Sequence, residues 1–291
     1  ADLPRMREAG MSGAVFSVAT NPFRRAGRRP EVLFANLADL RAGLEAAQGV
    51  TVVADHAGWA AARAAGRFGC FLAVQGANAF SSAADLGRIP GDVVTRVTLV
   101  HLTDSALGST SSPLRLGRDR GLTTAGAEFV AAANQQRILV DLAHASRATF
   151  WAALDAHDPH LPPIVSHTGI WGAQPSWRNV DDDQIAAVAD RGGVVGVMYH
   201  RGFLGRPSWR VGAEAVVRHL EHAIRVGGTD VAVLGSDWDG MIVTPRDMPT
   251  ASELPVLVGA MLERGWAPER VRKVVGANYL RVMEAVRPGT A

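Results

Sequence analysis

Ile138–His144 reads ILVDLAH, and Pro163–Gly172 reads PIVSHTGIWG. Each contains a short apolar run that stops at a histidine, His144 in the first and His167 in the second. The runs are rich in Ile, Val and Leu and lack strict apolar–polar alternation, the pattern of strands buried on both faces of a parallel sheet. Five further runs share it: Gly13–Val18, Cys70–Val74, Val97–Val100, Gly193–Tyr199 and Val231–Gly235. Thr51–Val53 is a weaker eighth. Helical stretches lie between them. TTAGAEFVAAANQQ (Thr123–Gln136) opens on a capping threonine, and NVDDDQIAAVADRGG places three aspartates in a first turn and ends at a glycine stop. NLADLRAGLEAA, GAEAVVRHLEHAIRVGG and the closing APERVRKVVGANYLRVMEAV complete the set. Strands alternating with helices predict βα units and a parallel sheet.

An open doubly wound sheet gathers ligand residues at one switch point, whereas a barrel gathers them from the ends of many strands. Here Gln75, His101, His144, His167, Tyr199 with His200, and Asp237 each end a run. This predicts an α/β fold of the (β/α)8 TIM type, with one domain over residues 1–291. The histidines end strands because a barrel keeps its chemistry at that rim. Neutral imidazole is a common zinc ligand, and imidazoles converging with a carboxylate form a metal site. In GSDWDG (Gly235–Gly240), Asp237 ends the strand as metal ligand or general base, and Asp239 orders the turn. Arg178 offers a guanidinium for a substrate carboxylate. Asn179 and Tyr199 join it as substrate-binding residues. Trp171, Trp177 and Trp238 lie in the same loops, as pocket walls or as loop packing.

Composition narrows the partners. The chain has 291 residues, 47% hydrophobic and 20% charged, with a net charge of +2. Lys273 is the only lysine, and arginine is spread along the chain except at Arg24, Arg25, Arg28 and Arg29. Without a basic stripe or interleaved aromatics, nucleic acid is not an expected partner. No apolar run approaches the ~18 residues of a membrane span. Cys70 is the single cysteine, so no internal disulfide and no cysteine-rich zinc site is available. A cytoplasmic location is the expectation.

The chain resembles the renal (membrane) dipeptidase family, zinc peptidases built on amidohydrolase-like barrels. The resemblance runs through DLPRMREAGMSGAVFSV, FLAVQGANAF, VTLVH, GLTTAGAEFV, LVDLAH, SHTG, RNVDDDQIAAVADRGGVVGV, GSDWDG and VVGANYLRVME. It implies hydrolysis of a dipeptide by water activated between two zinc ions. It assigns His144 and His167 to the second zinc, and His101 to the substrate and tetrahedral intermediate. Arg178 is assigned to the substrate carboxylate and Asp237 to the proton of the attacking water. It also implies a homodimer.

Two positions depart from the family pattern. A glutamate followed by glycine bridges both zincs in the family, where this chain has Gln75-Gly76. The His-x-Asp of the family's first strand, upstream of DLPR, is not in the sequence, so the expectation is a first barrel strand upstream of Ala1. Removing the bridging charge leaves two dications to repel, and the metal site is expected to be degenerate, with Gln75 a weak ligand. The rival readings are a non-hydrolytic homologue that binds a dipeptide-like ligand or does metal-independent chemistry, and an interaction protein with a relic pocket.

Overall fold

The computed structural model describes residues 2–90, 92–115 and 117–289. Its strands are β1 (Gly13–Ala19), β2 (Val50–Val52), β3 (Phe68–Gln75), β4 (Val94–Thr98), β5 (Leu139–Asp141), β6 (Ile164–Thr168), β7 (Val194–Val197) and β8 (Ala232–Leu234). The helices, in chain order, are α1 (Leu3–Glu8), α2 (Arg29–Ala46), α3 (His56–Ala64), α4 (Thr124–Gln135), α5 (Arg147–Ala156), α6 (Asp182–Asp190), α7 (Arg201–Leu204), α8 (Ala213–Gly227), α9 (Leu254–Glu263), α10 (Pro268–Arg272) and α11 (Asn278–Val286). Short 3-10 turns fill several connections. Strand follows helix along the chain and the described pairings are parallel, as the (β/α) TIM-type expectation requires. The chain forms two compact units, one of residues 12–164 and 283–289, the other of residues 2–11 and 165–282.

In the first unit, β3 is the hub. Its residues from Phe68 to Val74 are all buried, as a strand covered on both faces must be. Burying one such side chain contributes roughly 1.5–3 kcal/mol. Along one edge β3 pairs with β1, from Gly13↔Gly69 to Ala19↔Gln75. Gly69 and Cys70 also pair with Thr51 and Val52 of β2. A strand has two edges, so β2 lies opposite β1, on the edge that β4 takes from Leu72 onward. The segment Thr51–Val53 is therefore not the strand that closes a barrel beyond β1. β4 continues to β5 through Arg96↔Leu139 to Thr98↔Asp141, and β5 to the first residue of β6 through Asp141↔Ile164.

In the second unit β7 pairs with β8, Val195↔Ala232 to Val197↔Leu234, and the Met198 N–H bonds to the Thr168 carbonyl at the end of β6. The caps expected from sequence are present. The Thr123 hydroxyl accepts from the Gly126 N–H at 3.0 Å, starting α4. Asp181 and Gln184 form a reciprocal capping box on α6. Satisfying two otherwise orphaned donors in this way fixes where a helix begins. The closing segment departs from expectation. It is not one helix: a π turn at Lys273–Ala277, with Gly276 outside helical geometry, separates α10 from α11.

α8 buries Val216, Val217, Leu220 and Ala223 along with His219. The His219 Nδ1 accepts from the Ile170 N–H at 2.8 Å, and its Nε2 meets the Leu204 carbonyl at 3.1 Å. Both contacts suit a neutral ring protonated on Nε2. Burial pushes the pKa of His219 down to about 4, opposed by the Leu204 carbonyl and assisted by the nearby Arg218 and His222. A depressed folded pKa means that the unfolded chain takes up the proton first. The stability held by neutral His219 is thus complete above pH 6.5 and is lost as pH falls toward 4. The full loss is on the order of 3 kcal/mol. Unfolding free energies measured between pH 7 and 4.5 are expected to fall more steeply for the native chain than for His219→Asn, whose Oδ1 replaces the Nδ1 acceptor. Equal slopes would rule out this residue as the source.

Candidate active site

The first unit brings Gln75, His101 and His144 together. β3 delivers Gln75 at its last position. The next residue, Gly76, has φ 87°, and a Cβ there would stand 2.7 Å from the His101 Cβ, so glycine alone lets the chain turn beneath the ring. The Gln75 Nε2 lies 3.3 Å from the His101 Nε2. With the amide as donor, His101 is neutral and carries its proton on Nδ1. The rings of His101 and His144 meet edge to face with centroids 4.7 Å apart. His144 is buried, in the left-handed region at φ 64°. The Thr110 hydroxyl contacts the backbone carbonyls of both His101 and His144, clamping two strand ends with one side chain.

Behind His144 lies a network that the sequence did not announce. Asp141, fully buried at the end of β5, accepts from the Thr98 hydroxyl at 2.7 Å and from the Ala143 N–H at 3.0 Å. Arg96 faces it at 3.5 Å and also donates to the Ser17 hydroxyl at 2.8 Å. Thus β1, β4 and β5 are tied by one buried ion pair, which also holds the turn leading into His144. The aspartate of LVDLAH was the available signal, hidden inside an apolar run.

The second unit carries His167, Arg178, Asn179, Tyr199 and Asp237. His167 is buried near the end of β6, with its Nδ1 2.8 Å from the Ser166 hydroxyl. Arg178 is also buried, and its Nη2 donates to the His167 backbone carbonyl at 2.5 Å. The Thr168 hydroxyl bonds to the Arg178 carbonyl at 3.0 Å, so the Arg178 loop folds back on the strand that carries His167. The Asn179 amide donates to the Gln174 and Phe203 carbonyls, a loop-pinning role. Tyr199 is fully buried, its hydroxyl pKa raised by burial, and its ring meets Trp238 edge to face at 5.2 Å. Asp237, with φ 59°, opens the turn that Gly240 closes by donating to the Asp237 carbonyl at 3.0 Å. Trp177 packs against Phe203, and His200 is held neutral, first by burial and then by Arg201.

A model of the membrane dipeptidase family, peptidase family M19, matches residues 1–289. The chain belongs to that family. An uncharacterized dipeptidase of Schizosaccharomyces pombe is 34% identical over 192 residues, 65% of this chain and 46% of the yeast protein. This chain thus matches less than half the length of that relative. Among solved structures, a metallopeptidase described as dipeptidase AC of family M19 has a TM-score of 0.89 at 28% identity, covering 99% of this chain and 90% of its own. A metallopeptidase of Rhodobacter sphaeroides, liganded with a phosphinate mimic of L-Ala-D-Ala, has a TM-score of 0.88 at 27% identity, covering 98% and 90%. The fold is that of the M19 dipeptidases, which are TIM-barrel-like, and both of these similar structures are described as metallopeptidases.

Among the described residues, no group of three or more His, Cys, Asp and Glu side chains is arranged to hold a metal ion. Gln75 contributes a neutral amide turned to His101. An amide cannot supply the charge that a pair of dications needs between them. At position 75 the chain thus offers an amide where the family pattern has a carboxylate.

Proposed function

We propose that this chain is a dipeptidase-family hydrolase with a degenerate metal site, acting on a small dipeptide or related amide. The observation that carries the reading is the Gln75 amide seated 3.3 Å from His101, at the position where the family pattern has a bridging glutamate. Arg178 receives the ligand's carboxylate. His101 donates or accepts a hydrogen bond at the scissile amide. Asp237 holds the proton of the attacking water. Tyr199 and Asn179 shape the pocket wall through Trp238 and Phe203. His144 and His167 are the imidazoles available to a zinc ion.

A dipeptide such as L-Ala-D-Ala, the compound mimicked in the Rhodobacter sphaeroides structure, is the first substrate to try. Calorimetry of this dipeptide and of its C-terminal amide is expected to show loss of carboxylate preference in Arg178→Lys, by at least about tenfold, because a point charge does not replace a bidentate fork. Dipeptide hydrolysis with added zinc is expected in the native chain and absent in Asp237→Asn. If neither binding nor turnover of dipeptides is found, the reading fails.

The second reading is a ligand-binding homologue without hydrolysis. It is favoured by the lack of any three-donor cluster among the described residues. Dipeptide binding with no zinc taken up and no turnover would select it.

A further inference from the structure

The segment after β7, the start of α8 and the segment after β8 line an open hollow of ≈ 200 Å³ in the second unit. Four arginines line it: Arg206 and Arg210 from the β7–α8 connection, Arg218 from α8, and Arg246 from the segment after β8. All four are solvent-exposed. Among the described residues, none of the four forms an ion pair or donates a side-chain hydrogen bond. Some exposed arginines elsewhere in the chain do pair: Arg41 with Glu45 and Asp92, Arg264 with Glu214 and Glu221, and Arg272 with Glu269.

Two carboxylates also line the cavity, and both are committed elsewhere. Glu214 pairs with Arg264 at 3.1 Å. Asp247 accepts from the Ala213 N–H at 2.9 Å, capping α8 from a distant loop. Gly212 leaves room for that cap, since a Cβ there would stand 2.6 Å from the Asp247 Oδ2. The start of α8 thus already carries the Asp247 carboxylate, on the wall of the hollow. Like charges placed around one hollow repel, and a multivalent anion relieves that repulsion while engaging planar donor forks.

We propose that this cavity is a binding site for a phosphate-type anion of charge −2 or more, such as a phosphate or diphosphate group. It is separate from the dipeptide reading and does not depend on it. Its size admits such an anionic group. The anion's source is either a free small molecule or the headgroup of an acidic phospholipid, and the chemistry at the arginines is the same.

The test uses the full chain and three titrations. Inorganic diphosphate, followed by calorimetry, is expected to bind at one per chain and to weaken as salt is raised. Arg218→Gln and Arg246→Gln are each expected to weaken it by at least about tenfold. Both residues are exposed and unpaired, so the variants are expected to keep the native melting temperature in the absence of diphosphate. Sedimentation with phosphatidylcholine vesicles with and without phosphatidic acid separates the sources. Binding to free diphosphate assigns a soluble ligand; binding only to phosphatidic acid vesicles, lost in the same variants, assigns a headgroup. No saturable binding of either, or binding untouched in both variants, overturns the proposal. Dipeptide turnover is measured alongside, and its failure leaves this result unaffected.

Discussion

Gln75→Glu is expected to bind zinc at least about tenfold more tightly than the native chain. Changes in residues that merely support a ligand already alter metal affinity ~10–100-fold, and this one alters a ligand atom. The physical cause is charge. A carboxylate at the end of β3 supplies a full negative oxygen where Gln75 supplies an amide dipole. The substitution is nearly isosteric, so β3 and the Gly76 turn are expected to hold their places. It also removes the Nε2 donor that now lies 3.3 Å from His101, freeing that imidazole to turn. Zinc content after dialysis is the direct readout, and dipeptide turnover in added zinc is expected to rise with it. Equal zinc affinity in the two forms would show that position 75 does not limit metal binding and would remove the degenerate-site reading.

Arg96→Met is expected to cost about 3–5 kcal/mol, the usual penalty for leaving one member of a buried ion pair alone. Asp141 would keep the Thr98 hydroxyl and the Ala143 N–H but lose the Arg96 guanidinium. At roughly 2–4 °C per kcal/mol, the melting temperature is expected to drop by about 6–20 °C. Replacing both partners, Arg96→Met with Asp141→Leu, is expected to recover much of the loss, because the desolvation of the carboxylate disappears with the carboxylate. A single-variant drop near zero would show that β1, β4 and β5 are held by apolar burial alone. Because the Ala143 N–H is fastened to Asp141, the single variant is also expected to loosen the turn that places His144.

The strands were readable because strands buried on both faces leave long apolar runs. All seven main runs, and the weaker one at Thr51–Val53, overlap strands, although Val97–Val100 does so only at Val97 and Thr98, because β4 starts earlier, at Val94. What the sequence hid was which edge β2 takes, a matter of pairing that apolar patterning does not encode. α3 and α9 went unseen for a different reason. Leu254–Glu263 is apolar almost throughout and so lacks the contrast between faces that marks a helix, while His56–Ala64 is short and alanine-rich. The break between α10 and α11 was likewise invisible, because Gly276 sits within an otherwise helical pattern. At the site, residues at strand ends could be picked out because each stood as a lone polar group after an apolar run. Asp141 and His219 could not: one lies inside such a run, the other beside charged residues in the middle of a helix.

Cys70, the only cysteine, is fully buried in the middle of the hub strand, and burial raises its thiol pKa to about 12. A neutral thiol under that cover does not react with alkylating reagents, since the thiolate is the nucleophile. The rate at which a disulfide-exchange dye modifies it then clocks how often β3 is exposed. A cysteine engineered on the surface could carry a fluorophore on an otherwise silent background, so that one position at a time can be tracked by energy transfer.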